Sequence, residues 1–182
     1  MKPYTVQDSA LTHVPVMSSE VLTYLDIKSN GVYIDGTIGP GGHAIQILNN
    51  LGKHGKLIGI DRDEDALKIC NKNCSSSSSL LSLFHSSYNK INTILTKEKI
   101  SSVNGIILDL GLSSNQLNSR SRGFSYRSEG SLDMRFDFTQ GKKASDIIKS
   151  NNIEKLTKIF KKYGEESCLL YTSPSPRDGL LS

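Results

Sequence analysis

The stretch YIDGTIGPGGHA, residues 33–44, constrains this chain more than any other. Four glycines, Gly36, Gly39, Gly41 and Gly42, stand between a short apolar run and a segment with helical spacing. Without a Cβ, a glycine loop lets the backbone approach a ligand closely and adopt positive φ. A second apolar run, KLIGID at residues 56–61, follows the helical segment and ends in an acid, Asp61. Strand, glycine loop, helix and a strand with a terminal carboxylate form the first βαβ unit of a Rossmann-like sheet. Ligands of such sheets lie across the carboxyl ends of the strands. A P-loop is excluded, because no Gly-Lys-Ser/Thr closes the glycine string.

The alternation of apolar runs and helical patterns continues to residue 111, which predicts a parallel α/β sheet. Residues 14–25 have helical spacing, with Ser18 or Ser19 as the expected cap. Residues 31–35 read as a strand. Residues 43–52 read as a helix stopped by Gly52, and residues 63–73 as a helix with acids in its first turn. The serine run at 75–79 has nothing to bury and is expected to be a loop. Further strands are expected at 80–84 and 104–111, with a helix at 89–97 between them. In the strand order 3-2-1-4, Asp109 ends the fourth strand beside the first, and Asp35, Asp61 and Asp109 line one electronegative crevice. From residue 112 the sequence turns polar and Arg-rich, before helical patterns return in ASDIIKS and NNIEKLTKIFKKYG.

Two cofactor classes suit such a crevice. The dinucleotide fingerprint is G-x-G-x-x-G, whereas GPGGHA has Ala44 where the third glycine belongs. Asp35, just before the loop, repels a pyrophosphate but suits an ammonium group. S-adenosylmethionine carries an ammonium and a positive sulfonium, so these residues favour it over NAD. Asp61 is placed to accept both hydroxyls of an adenosine ribose. A glycine turn with no ligand is the bland alternative.

No run reaches the ~20 apolar residues of a membrane span, and the first residues show no targeting pattern. Three cysteines, Cys70, Cys74 and Cys168, make no disulfide framework, and the cytoplasm is the expected compartment. Cys70 and Cys74, one helical turn apart with no further ligand type nearby, read as ordinary thiols rather than a metal site. The net charge of +4 tolerates a polyanionic partner without requiring one.

The segments HVPVM, YIDGTIGPGGHA, IGIDRDEDAL, GIILDLGLSSNQL, RGFSYRSEGSLDMRFD and YGEE occur here in one order. That order resembles the small-subunit ribosomal RNA cytosine-N4 methyltransferases of the RsmH (MraW) type, and the resemblance spans residues 13–166. It implies a Rossmann-like S-adenosylmethionine-dependent methyltransferase fold, α/β with a parallel sheet, into which a mostly helical domain is inserted. It implies N4-methylation of a cytidine in the decoding region of 16S-type RNA in a 30S-type subunit, with no membrane and no metal. Carried over motif by motif, the cofactor contacts fall on Gly41, Gly42, His43, Asp61, Asp109 and Gln116. Tyr88 aligns with an aromatic residue, commonly Phe, that follows the third strand. Taken alone, His43 is a residue of a helix N-terminus and Gln116 an ordinary loop glutamine.

A cytosine N4 amine is a poor nucleophile, so an acceptor for its N–H is needed as the new bond forms. Asp109 is the expected acceptor and the catalytic candidate, with Ser113, Ser114 and Asn115 as alternatives. Arg120, Arg122, Arg127 and Arg135 are expected to meet RNA phosphates. Phe124 and Tyr126 are expected to tuck into the core of the inserted domain rather than stack on bases. The lysines of residues 154–162 are expected to form a solvated face.

By the same resemblance, residues 1–118 form the N-terminal part of the methyltransferase domain. Residues 119–166 begin the inserted substrate-recognition domain. The final stretch, residues 167–182, leaves the family pattern and is expected to be an aberrant, non-native tail. The chain is then an N-terminal fragment whose fourth strand keeps one uncovered edge. Two rivals stand beside this expectation. An NAD-dependent oxidoreductase would leave DLGLSS and LDMR without a purpose. A non-catalytic RNA-binding methyltransferase remnant would bind RNA without transferring methyl groups.

Overall fold

Adjacent residues in the strand segments are apolar, as in Tyr33-Ile34 and Leu57-Ile58, so both faces of the sheet must be covered. The computed structural model, which describes residues 15–127 and 129–166, covers them with helices. The described residues fall into two units. The first contains those up to Ser113 together with Phe136–Thr139, and the second contains Ser114–Arg135 and those from Gln140 onward.

In the first unit the order is α1 (Ser18–Leu25), β1 (Val32–Asp35), α2 (Gly42–Asn50), β2 (Lys56–Asp61), α3 (Glu64–Asn73), β3 (Leu81–His85), α4 (Ile91–Lys97) and β4 (Gly105–Ile107). The strands are parallel in the order β3-β2-β1-β4. One face packs Tyr33, Leu57 and Ile107 against Ile47, Leu48, Leu67 and Cys70 of α2 and α3, with Leu22 and Leu25 of α1. The other packs Ile34, Ile58 and Ile60 against Ile94 and Leu95 of α4. This is the Rossmann-like layering expected from sequence. The buried Tyr33 hydroxyl is satisfied, since it accepts from the Lys28 N–H (2.8 Å) and donates to the Asp26 carbonyl (3.3 Å).

Four local expectations need correction. First, α1 starts at Ser18 and neither serine caps it: Ser18 Oγ donates to the Pro15 carbonyl and Ser19 Oγ to the Glu20 carboxylate. The turn into the helix is made by Met17 in the left-handed region, while Val14 lies outside the described residues. Second, α2 ends at Asn50 with Leu51 as its cap, so Gly52 does stand just past the cap, but its N–H turns away to the Ser29 carbonyl instead of back onto the helix. Third, the serine run is not a loop. It continues α3 as 3₁₀ turns over Ser75–Leu80, with a break at Ser77. Serine has no strong objection to a tight turn, and the turn delivers Leu80 and Leu81 to the core. Fourth, β4 is only three residues long. Among the described residues it has a partner, β1, on one side alone, and the ladder ends at Asp35↔Ile107. Ile106 and Leu108 stay about half exposed on the α4 side of the sheet.

The second unit holds α5 (Ser114–Asn118), a 3₁₀ turn at Arg120–Arg122, α6 (Ala144–Ser150) and α7 (Ile153–Tyr163). Its loops are pinned by backbone bonds from Ala144 to Asp133, Ser145 to Leu132 and Met134 to Arg122. Asn152 caps α7 by accepting from the Lys155 N–H.

Candidate functional site

The parallel register brings the carboxyl ends of β1, β2 and β4 to one edge of the first unit. Asp61 ends β2 and organises the loop above it. Its Oδ2 accepts from the Gly39 N–H (2.8 Å) and its Oδ1 from the Asp63 N–H (2.9 Å). Asp63 in turn caps α3, accepting from Asp65 and Ala66. The Arg62 N–H adds a third backbone pull on the same carboxylate. Partial burial raises the Asp61 carboxyl above the usual carboxylate range, against the pull of the Asp63 and Gly39 N–H groups.

Asp35, which ends β1, is buried. It is 2% exposed, with Oδ1 accepting from the Thr37 N–H at 3.1 Å. Burial first, and then the charges of Asp61 and Asp109, push its carboxyl up to about 7, despite the opposing Thr37 bond. The electronegative crevice expected from sequence thus holds one buried acid, one half-buried acid and one exposed acid. The physical reason is position within the sheet. β1 is central, β2 has one tip covered by the glycine loop, and β4 is an edge.

The glycines turn out to be packed as well as permissive. Gly41 has φ +96°, and a Cβ there would lie 3.0 Å from Cys70 Sγ and 3.2 Å from Cys74 Sγ. A Cβ on Gly42 would lie 2.8 Å from Pro15 Cγ. One on Gly36 would lie 2.5 Å from Leu108 Cδ2 and 3.2 Å from Tyr88 Cβ. Tyr88, which is 41% exposed, therefore stands at the tip of β1. Gly39 also has positive φ, and its missing Cβ points into open space apart from the Thr37 carbonyl at 3.9 Å.

His43 is buried and its Nε2 lies 2.9 Å from the Val16 carbonyl. Its ring ties the chain before α1 onto the start of α2. His43→Ala is expected to cost on the order of 1 kcal/mol and to speed amide exchange at the start of α1. Unchanged exchange there would show that the tie holds nothing.

Asp109 does not end a strand. It lies two residues past β4, is exposed, and has its N–H bonded to Thr37 Oγ1 at 2.8 Å. Gly41, Gly42, Asp61, Tyr88 and Asp109 thus gather at the strand tips of the first unit. Gln116, Arg120 and Arg122 belong to the second unit. There Gln116 is buried in α5 and Arg120 is exposed.

Two arginines are not surface phosphate ligands as expected. Arg122 is 5% exposed. Arg135 makes a two-pronged pair with the buried Asp133, Nε to Oδ1 at 2.7 Å and Nη2 to Oδ2 at 2.9 Å. That pair holds the Asp133 carboxyl below its ordinary range and gives LDMR a structural purpose. The placement of Tyr126 also needs correction, because it is 91% exposed with the Arg127 guanidinium 5.7 Å from its ring centre, whereas Phe124 is half-buried. Arg120 and Arg127 remain as solvent-facing cations.

Two residues near the strand tips carried no role in the sequence. Thr37 is one, though an aspartate two residues ahead of a threonine is a recognisable turn signal. Asp137 is the other. It is buried in the first unit, with His85 Nε2 3.5 Å away at the end of β3. A separation of 52 positions leaves no local signal for that pair.

The model of the MraW methylase family matches residues 10–170. The ribosomal RNA small subunit methyltransferase H of Halothermothrix orenii is 46% identical over 156 residues, 86% of this chain and 50% of that protein. The protein of the same name from Buchnera aphidicola subsp. Baizongia pistaciae is 46% identical, over 85% of this chain and 49% of its own. The chain thus spans about half the length of the curated relatives it matches. Among solved structures, a putative rRNA-methylase from Clostridium thermocellum superposes with a TM-score of 0.49 at 17% identity, over 61% of this chain and 56% of that one.

Proposed function

The chain belongs to the MraW methylase family, and from that premise we propose that it carries the cofactor-binding part of a small-subunit rRNA (cytosine-N4)-methyltransferase. The carrying observation is Asp61, a half-buried carboxylate at the end of β2 that fixes the glycine loop through the Gly39 N–H. That donor set fits S-adenosylmethionine. Asp61 would accept the ribose hydroxyls, Gly41 and Gly42 would let the backbone approach, and the exposed ring of Tyr88 would lie along the adenine or the cation. Bound there, S-adenosylmethionine supplies a methyl group on a positive sulfonium, with a good leaving group already in place.

The work left to the protein is positioning and the removal of water. Asp109 would accept a hydrogen bond from the N4 amine as its lone pair leaves conjugation with the ring. The base has to leave its stack to reach that carboxylate, which favours a looped, single-stranded RNA target. Within the second unit, exposed Arg120 and Arg127 would meet RNA phosphates. The decoding-region cytidine, the 30S-type partner and a cytoplasmic location complete the proposal. No helix among the described residues is long and apolar enough to cross a membrane.

Calorimetry of this chain with S-adenosylmethionine tests the cofactor assignment. Binding is expected, with Asp61→Ala weakening it at least tenfold, the equivalent of about 1.4 kcal/mol. Binding of NAD in its place would overturn the assignment. The full-length protein with small-subunit RNA and labelled cofactor should then yield N4-methylcytidine on nucleoside analysis. RNA binding without label transfer would point instead to a non-catalytic remnant.

A further inference from the structure

Thr37 occupies the point where β1 and β4 stop pairing. The ladder ends at Asp35↔Ile107, followed by one more backbone bond from the Gly36 N–H to the Ile107 carbonyl at 3.0 Å. The next amide in line on the β4 side is that of Asp109. No backbone carbonyl of β1 reaches it, and Thr37 Oγ1 accepts from it instead, at 2.8 Å across 72 positions of sequence. The hydroxyl is itself held in place, because the Thr37 N–H donates to the buried carboxyl of Asp35. Beyond this bond the chain is unsupported by a strand: Leu108, Asp109, Leu110 and Gly111 are all exposed. One side-chain oxygen therefore links the glycine loop after β1 to the segment after β4, the two stretches that carry most of the proposed site residues.

We propose that Thr37 is a positioning residue of the cofactor site, its hydroxyl holding Asp109, one of the expected cofactor contacts, in register with the glycine loop. The proposal rests on the strand-tip crevice being the cofactor site. The β-branched side chain suits the task, because branching at Cβ restricts χ1 and keeps the oxygen aimed at one amide. Valine preserves that shape and removes the acceptor, whereas serine preserves the acceptor and removes the methyl group.

The test compares Thr37→Val and Thr37→Ser with wild type in this chain, with Thr37→Ala as a second hydroxyl-free variant should valine fail to fold. Two quantities are read: exchange of the Asp109 amide by NMR, and calorimetric affinity for S-adenosylmethionine. Loss of one hydrogen bond of ordinary strength predicts a two- to tenfold change in each, roughly. Thr37→Val is expected to show both changes, and Thr37→Ser to stay within about twofold of wild type by the same reasoning. Faster exchange with unchanged affinity would overturn the positioning role and leave the cofactor assignment standing. A serine variant as weak as the valine one would overturn the role of the hydroxyl. If wild type itself binds no S-adenosylmethionine, the cofactor assignment fails and the proposal falls with it.

Discussion

Replacing Gly41 with alanine is expected to destabilise the chain by about 2–5 kcal/mol, through two separable effects. The first is conformational. At φ +96° a Cβ crowds the backbone, at a cost of about 1–2 kcal/mol. The second is packing. The new methyl group would press on Cys70 and Cys74, whose sulfurs lie 4.0 Å apart under the loop. Cys70 is fully buried within α3, so it has little room to retreat, and overpacking of this kind costs roughly 1–3 kcal/mol. Denaturant unfolding of Gly41→Ala, Cys70→Ala and the double variant separates the two. In the Cys70→Ala background the cost of the Gly41 change should shrink toward its conformational part. A cost that is the same in both backgrounds would show that the thiols are not what the methyl group meets. A cost near zero would show that the loop has a second conformation of similar energy, and the close-approach argument for Gly41 would go with it.

This pair also shows what was legible in the sequence. The βαβ frame was legible, because Tyr33-Ile34 and Leu57-Ile58 can only be buried strands, and Gly41-Gly42 can only precede a helix there. What the glycines pack against was not. The contact of Gly41 with Cys70 spans 29 positions and depends on how α3 lies on the sheet. The same limit explains Asp109. An apolar run up to Leu110 reads as one long strand, but strand length is set by partners as well as by composition. With a neighbour on one side only among the described residues, β4 ends at Ile107 and the acid falls into a loop. The arginines failed for a related reason. Arg120, Arg122 and Arg135 look alike in sequence, and only the fold spends one of them on Asp133 and buries another. Thr37 was half legible: its turn with Asp35 is local, whereas its bond to Asp109 is not.

Asp35→Asn is expected to reverse a pH-dependent weakness of the fold. In the folded chain the Asp35 carboxyl is pushed up to about 7 by burial and by its acidic neighbours, against an ordinary value of 3.8. Below the ordinary value both states hold the proton, and Asp35 has no effect on the slope. Between the two values the folded state holds a proton that the unfolded state has lost, so stability falls as pH rises. Above about 7 the cost is fully developed and is on the order of 4 kcal/mol. Asparagine carries no charge at any of these pH values and keeps an oxygen for the Thr37 N–H. The stability of Asp35→Asn relative to wild type should therefore rise by roughly 2–3 kcal/mol between pH 5 and pH 8. Urea midpoints and slopes of both proteins across that range measure it. Asp61 shifts in the same direction and is present in both proteins, so the difference isolates Asp35. Asp133 shifts the other way, and its contribution is lost only below the window. Parallel curves would mean that Asp35 is ionised throughout, and that the tips of β1 and β2 tolerate two charges that burial alone should forbid. A diverging pair would mean that the central strand ends in a neutral acid, held without its charge by the same packing that shapes the glycine loop.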